Sequence, residues 1–490
     1  MPSFWKNVGV LTIAEIFLKI KALIMMPFIT KYLGAINYGI WAQVMVIVSL
    51  VSPLVFCGMD NSLVRFLPGK PLQEQKQEFT GWLLFGFVSS LLILFFIGIS
   101  RRWLSKLFFG TGAEYPLFVL LAGANVATTA MLTGIRNWFR IQNQAWALVF
   151  LTVLQNLIQM LVLIVILVRS LRIYELILGS LVMDIFIIFG YIIYLFLKDV
   201  FKRPSIDWLK PYFRFGLVFL PSGYAIWVLN SLDRVFLAQY HTLVDIGIYS
   251  ICFTIGYTLI QVIVNPLWSF FPTRAAELYN NNNIREINRL FNQSLKLICW
   301  IIFPSIFGLI LTGDILLSII STVEFAKGYL VIPIILTGYL FLMLSAYFES
   351  VLILKNKPFL STIFTCIACL ANIILNFALI PTFSYMGAAV ATTLSFALQL
   401  ALSAVYALRE NVITVNMFPI KKILVASIIM GVAVFFTKRH ISYGQNMLSL
   451  MISSSVGLLC YVILTQALNI YKFKNIAKEI TRNFNHVPSS

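Results

Sequence analysis

Residues 359–380 read FLSTIFTCIACLANIILNFALI, without one charged side chain. A helix needs about 20 mainly apolar residues to cross a hydrocarbon core about 30 Å thick, and this run supplies them between Lys357 and Pro381. Within it, Cys366-Ile-Ala-Cys369 has metal-type spacing, but no histidine or second cysteine pair stands nearby in sequence, so packing in an apolar helix is the favoured reading. The run therefore reads as a membrane span. Runs of the same kind, bounded by charges, Pro, Gly or Asn clusters, recur at 8–32, 36–59, 79–100, 115–134, 145–168, 173–197, 212–240, 246–272, 293–312, 329–350, 385–409, 421–437 and 446–467. The expected fold is an all-α integral membrane protein with about 14 transmembrane helices.

Composition agrees. Of 490 residues, 60% are hydrophobic and 11% charged, with a mean hydropathy of +0.91, where soluble globular chains run roughly 45–50% and about 25%. That excludes a water-soluble enzyme. The net charge is +18, from 36 Lys+Arg against 18 Asp+Glu. The basic residues stand in short gaps between apolar runs and form no continuous stripe, so no nucleic-acid partner is expected. With the N-terminus inside, 24 of the 36 fall in cytoplasmic gaps, 9 on the opposite side, and Lys19, Lys21 and Arg234 stay within spans. This bias places both termini in the cytoplasm of a multi-pass cell-membrane (plasma or inner membrane) protein. The first apolar run contains Glu15, Lys19 and Lys21 and lacks a small-residue cleavage site, so no cleavable signal peptide is expected.

No hydrophilic gap is long enough for a folded domain; the longest are 60–78, 198–214 and 273–296. In the last, Ile284, Ile287, Leu290, Phe291 and Leu295 at helical spacing, with Arg285, Arg289 and Lys296 between them, predict an interfacial helix on the cytoplasmic face. Sliding the chain on itself by 208 residues superposes Phe28, Tyr32, Gly39 and Ile40 on Phe236, Tyr240, Gly247 and Ile248. A basic, Pro-punctuated linker, 198–211, stands where a six-helix unit would end. The expected division is an N-terminal six-helix lobe at 1–209, a C-terminal six-helix lobe at 210–415, two additional helices over 416–470 and a basic cytoplasmic tail at 471–490. An even number of helices per repeat gives the halves the same orientation.

These residues carry a family resemblance. KYLGAINYG at 31–39 resembles the basic-x-Leu-Gly-x-x-x-Tyr-Gly signature after the first helix of polysaccharide-biosynthesis membrane proteins, the Wzx-like lipid-linked oligosaccharide flippases. GMDNSLVRF at 58–66, LDRVFLA at 232–238 with IGIYS at 246–250, and NIILNFALIP at 372–381 followed by GAAVATTLS at 387–395 are similar to later segments of the family, in the same order. Lys31 stands where the family more often has Arg. The likeness runs over about residues 5–470. It implies the fold of the multidrug/oligosaccharidyl-lipid/polysaccharide exporter superfamily, two six-helix lobes in a V around a central cavity plus two C-terminal helices. It also implies a polyprenyl-pyrophosphate-linked glycan as the substrate, moved from the inner to the outer leaflet.

Charge inside a bilayer span costs about 2.5–3.5 kcal/mol per residue on insertion scales, so each instance marks a candidate site. Thr12, Glu15 and Lys19 form one stripe of the first helix, Glu15 and Lys19 as an i,i+4 pair; Lys21 points about 200° away from Lys19. Asp233 and Arg234 are adjacent in the seventh span, with Asn230 one turn earlier. Two readings stand for them: a cation clamp in which Arg234 and Lys19 grip a diphosphate, and a quenched pair serving as gate or structural tie. Arg65, with Asp60, is placed at the cytoplasmic mouth, either to meet a head group or as a topology charge. Asp184 and Glu349, lone acids in apolar helices, are candidates for H+ or Na+ coupling or, alternatively, protonated and buried side chains, the latter favoured for Glu349 near Lys355 and Lys357. Asn125, Asn265, Asn372 and Asn376 are candidate polar lining for sugar hydroxyls or, alternatively, helix-to-helix hydrogen bonds. No catalytic residue, resident cofactor, metal site or nucleotide-binding loop is assigned.

The expected activity is therefore flipping by alternating access in O-antigen, capsule or exopolysaccharide synthesis, with membrane lipids and glycan-assembly enzymes as further partners. The rivals are a drug/cation antiporter of the same superfamily and, from another class, a membrane glycan polymerase. The four acids and three cations in the spans do not separate the first rival by charge count. The second wants a large external loop, and the external gaps are short.

Overall fold

A computed structural model describes residues 2–110, 115–169, 172–440 and 447–470, the side chains of 2–24, 145, 167, 266 and 269 excepted. Among them all regular structure is helical. In chain order the helices are α1 (Pro2–Val55), α2 (Met59–Phe66), α3 (Leu72–Phe109), α4 (Pro116–Ile141), α5 (Ala145–Val168), α6 (Ile173–Leu197), α7 (Leu209–Leu217) and α8 (Leu220–Tyr240). They continue with α9 (Leu243–Asn280), α10 (Ile284–Ile320), α11 (Val323–Ala326), α12 (Val331–Leu354), α13 (Pro358–Arg409), α14 (Met417–His440) and α15 (Met447–Ala467). The tail 471–490 lies outside the described residues.

Among the described residues eleven helices are long and apolar enough to cross a bilayer, twelve when the pair α7 and α8, bent by 43°, is taken as one span. Two helices, α1 and α13, are too long for one crossing. At 1.5 Å per residue, the 54 residues of α1 and the 52 of α13 would each run roughly 80 Å, more than twice the hydrocarbon thickness. Each is broken in the middle. In α1 the break is Gly34, at φ 70° and ψ 177°, where only glycine escapes a clash of Cβ with the backbone. In α13 it is Ser384, at φ 49° and ψ −135°, held in a tight hairpin in which Gly387 presses on the Leu379 carbonyl. With α1 and α13 each broken in the middle, the eleven or twelve spans among the described residues stand close to the expected fourteen.

One expectation is corrected. Residues 284–296 do not form a separate interfacial helix: they are the start of α10, which runs without interruption for 37 residues. Asn283 caps it, its side chain accepting the Glu286 N–H at 3.3 Å, and Ile287, Phe291 and Leu295 are buried in protein. The apolar stripe that suggested an interfacial helix faces neighbouring helices.

Packing divides the chain into two compact units, Met1–Ile251 with Thr365–Thr392, and Cys252–Phe364 with Thr393–Ser490. In the first, Phe56 stacks flat on Trp82 at 3.7 Å between ring centroids, and Phe79 meets Trp138 at 4.6 Å. The basic linker is pinned to α3: the Lys202 N–H donates to Thr80 Oγ1 at 3.2 Å, and Trp208 is buried. In the second, Tyr257, Tyr339 and Phe396 form one aromatic cluster and Phe271 and Tyr347 another. There α14 and α15 are tied in by Tyr461, whose hydroxyl donates to the Trp300 carbonyl at 2.7 Å, and by Lys438, which pairs with Asp314 at 2.8 Å.

Candidate functional site

The second arm of α1 and the start of α9 cross with their backbones in contact. A Cβ added to Gly39 would overlap the carbonyl oxygen of Leu243, and one added to Gly247 would overlap that of Ala35. Ala35 and Leu243 are 208 residues apart, and so are Gly39 and Gly247. The contact is reciprocal, residue for residue, which is the mark of a local two-fold axis. The shift that aligns the two windows in sequence therefore also relates their contacts in space. Neighbouring ties join the same ends: the Gln239 side-chain amide donates to the Lys106 and Leu107 carbonyls at 2.9 and 2.7 Å, and His241 Nε2 lies 2.7 Å from the Ile380 carbonyl.

About one turn from the two glycines lies a buried polar layer. Asp233 is 1% exposed and Arg234 8%. Asp233 Oδ1 accepts the Arg234 backbone N–H at 2.8 Å and stands 3.5 Å from Arg234 Nη1, while Oδ2 accepts the Tyr249 hydroxyl. Arg234 donates through Nε to Ser250 Oγ at 3.1 Å and through Nη1 to the Asn230 carbonyl at 2.7 Å, and its guanidinium lies 5.3 Å from the Tyr249 ring centroid. Gln43, fully buried, donates to the Arg234 carbonyl at 2.8 Å. Three helices, the second arm of α1, α8 and α9, thus meet on one ion pair. The guanidinium is held by protein groups, with the Asp233 carboxylate supplying the counter-charge.

Arg65 occupies a different place, at the joint of α2 and α7. Its guanidinium lies 4.9 Å from the Phe215 ring centroid, Ser62 donates to the Tyr212 carbonyl at 2.7 Å, and Glu78 receives both Lys70 at 2.5 Å and the Tyr212 hydroxyl at 2.8 Å. From Phe215 to Arg234 the helical path is roughly 28 Å, too far for one diphosphate to touch both cations. Asp60, at the start of α2, lies 3.5 Å from the Asn137 amide nitrogen, and burial pushes its carboxyl up to about 6. A raised carboxyl means that the folded chain holds the proton more tightly than the unfolded one. The stabilisation from Asp60 is then complete below about pH 4 and lost as pH rises through about 6. Thermal unfolding followed from about pH 4 to pH 8 should show Asp60→Asn more stable than the parent above pH 6, on the order of 2 kcal/mol, with the two converging at the acid end.

The two lone acids differ in their surroundings. Asp184 accepts from the Gln159 amide and interacts electrostatically with Arg136, so a cation of the same unit faces it. Glu349, 8% exposed, accepts from Ser361, from Gln399 at 3.1 Å and from Ser403 at 2.9 Å, all neutral side chains of α13. Glu349→Ala, which removes an acceptor shared by three side chains, should cost about 2–4 kcal/mol in thermal unfolding, and Glu349→Gln less than half of that.

Asn125 donates to the Leu121 carbonyl of its own helix at 2.9 Å, and Asn265 to Gln261. Asn376 donates to Asn372 Oδ1 at 2.9 Å; both are buried, and Asn372 Nδ2 and Asn376 Oδ1 have no hydrogen-bond partner among the described residues. The side chains of Glu15, Lys19 and Lys21 lie outside the described residues. Of the predicted site residues the structure therefore brings together Asp233 with Arg234 and Asn372 with Asn376, and sets Arg65 apart. Tyr249, Ser250 and Gln43 were missed as site residues by pattern reading, although Tyr249 and Ser250 stand in the segment IGIYS at 246–250.

Comparison with known proteins places these features in context. A family described as polysaccharide biosynthesis protein matches residues 28–328. A probable low-salt glycan biosynthesis flippase, Agl15 of Haloferax volcanii, is 25% identical over 284 residues, 56% of this chain and 59% of that protein. A capsular polysaccharide biosynthesis protein, CapF of Staphylococcus aureus, is 25% identical over 174 residues, 35% of this chain and 43% of that protein. The chain thus spans about three fifths and two fifths of the lengths of these two curated relatives. Among solved structures, the lipid II flippase MurJ in an inward closed conformation superposes with a TM-score of 0.72 at 17% identity, over 93% of this chain and 98% of that one. An inward-facing multidrug resistance MATE transporter of the MOP superfamily follows at 0.59 and 14%, over 80% and 98%. The fold is that of these multi-pass membrane transporters.

Proposed function

The chain belongs to the polysaccharide biosynthesis protein family, and we propose that it is a flippase that moves a polyprenyl-pyrophosphate-linked oligosaccharide from the cytoplasmic to the outer leaflet by alternating access. The observation that carries this reading is the family match over 28–328, on a chain whose fold over 93% of its length is similar to that of the lipid II flippase MurJ. The curated glycan flippase relative points the same way. The MATE likeness favours the drug/cation antiporter less specifically, at lower TM-score and coverage. The lobes that alternate are 1–209 and 210–415, with 416–470 as additional helices. Both termini face the cytoplasm of the cell membrane, a placement supported by the distribution of Lys and Arg. Glycan-assembly enzymes are the expected partners, and no chemistry is performed on the substrate.

In this mechanism the prenyl chain stays in lipid while the pyrophosphate and sugars follow the polar path. Lys19 and Arg234 are the cations that meet the diphosphate, while Lys21, on the opposite face of the first helix, pairs with another helix or reaches to the interface. Arg234 begins paired with Asp233, so it engages substrate by exchanging one anion for another, a swap that keeps the buried charge neutralised throughout. An inside-negative potential favours outward movement of an anion by about 2.3 kcal/mol per charge per 100 mV. Asp184 and Glu349 are the candidates for H+ or Na+ coupling, with Asn125, Asn265, Asn372 and Asn376 as polar lining. The test is Lys19→Gln with Arg234→Gln in reconstituted vesicles. Flipping of a pyrophosphate-linked glycan lipid should fall at least tenfold, and an unchanged rate at equal folded protein would remove both residues from the substrate path.

A further inference from the structure

The first two turns of α10 and the segment leading into α14 border an open polar cleft of about 570 Å³. Arg285, Asn288, Arg289 and Asn292 stand on one face of α10, at i, i+3, i+4 and i+7, and all four line it. Its opposite wall is held rigidly. The Asn288 amide donates to Thr414 Oγ1 at 3.0 Å while its oxygen accepts the Thr414 N–H at 2.9 Å. The Asn292 amide donates to the Thr414 carbonyl at 2.7 Å and its oxygen accepts the Asn416 N–H at 2.8 Å. The other face of α10 is buried, so the helix cannot rotate its arginines away.

The asparagines are spent on the wall; the arginines are not. Arg289 meets Glu286 at 3.6 Å with both side chains exposed, and among the described residues Arg285 is in no ion pair. The lining therefore carries one net positive charge, two guanidinium forks one turn apart, and no apolar side chain. Every lining residue is polar or charged, which disfavours a prenyl chain as occupant, and a single carboxylate would satisfy only one fork. We propose that this cleft binds a phosphoryl group, carried either by an anionic phospholipid head group or by a free phosphate ester. A tetrahedral oxyanion offers oxygens to both forks at once, the arrangement that charge-assisted Arg–phosphate recognition uses. The site lies wholly within one compact unit and is separate from the Asp233–Arg234 layer, so it stands whether or not the chain flips a glycan lipid.

The test uses the full chain in nanodiscs, with inorganic phosphate and phosphatidylglycerol as probes and thermal unfolding as readout. In phosphatidylcholine discs, inorganic phosphate should raise the midpoint where sodium chloride of equal ionic strength does not. The doubly substituted Arg285→Gln, Arg289→Gln chain should need about tenfold more phosphate for the same shift, and the corresponding lysine pair should recover part of it. Replacing a fifth of the lipid by phosphatidylglycerol separates the sources: a head-group site becomes insensitive to added phosphate, and a free-ester site responds as before. Equal phosphate response in the parent and the glutamine pair, with the lysine pair folded and equally responsive, overturns the proposal. So does the lack of any response to either probe in the parent.

Discussion

Gly39→Ala and Gly247→Ala should each destabilise the protein by about 3 kcal/mol or more, whereas Gly190→Ala should change it by less than about 1 kcal/mol. At the first two positions the added methyl meets a backbone carbonyl, Leu243 and Ala35 respectively, which cannot swing aside as the tip of a long side chain can. At Gly190 a Cβ meets nothing within 4 Å, and alanine is the better helix former there. Reciprocity sharpens the expectation. Both substitutions force the same two segments apart, so once one is present the second adds less, and the double variant should fall short of the sum. Thermal unfolding of the four chains in one detergent checks this. Additive losses would mean that the two glycines do not share one contact.

The second large effect belongs to the ion pair. Asp233→Asn leaves the Arg234 guanidinium buried without its carboxylate and should cost about 3–5 kcal/mol. Arg234→Gln leaves the Asp233 carboxylate buried without its cation, and the loss should be comparable. Replacing both removes two buried charges together, so Asp233→Asn with Arg234→Gln should be less destabilised than the sum of the single changes and closer to the parent than either. The neighbouring hydroxyl is the control: Tyr249→Phe removes one hydrogen bond and keeps the ring beneath the guanidinium, costing about 1–2 kcal/mol. A double variant as damaged as the two single ones combined would show that the residues act separately.

Spans were legible because a bilayer demands length and apolarity together, and 359–380 meets both with no charge to interrupt it. What the pattern hides is continuity. Nothing in 8–59 says that two spans share one helical run through Gly34, and the apolar stripe of 284–295 reads alike whether it faces lipid head groups or Phe348, which meets Phe291 at 5.1 Å. The candidate site was half visible for a related reason. Asp233 and Arg234 stand out because charge in an apolar run is costly, but their partners Tyr249 and Ser250 are ordinary residues of α9, 16 positions further on, joined to them only by packing. Ser361, Gln399 and Ser403 around Glu349 are hidden in the same way. Gly39 and Gly247 were readable as a repeated pair, and the fold adds the reason for that pair: each is small because the other's segment passes against it.

The most direct measurement is leaflet transfer by the purified chain in vesicles whose polyprenyl-pyrophosphate-linked glycan carries a label on its sugars. A membrane-impermeant reagent then reads the label exposed at the outside. The account predicts that vesicles holding the parent protein expose the protected pool and that empty vesicles do not. It also predicts that Lys19→Gln with Arg234→Gln slows the exposure at least tenfold. A folded, reconstituted parent chain that leaves the protected pool untouched, while exchanging an organic cation for protons, would contradict the flippase reading and establish the antiporter in its place.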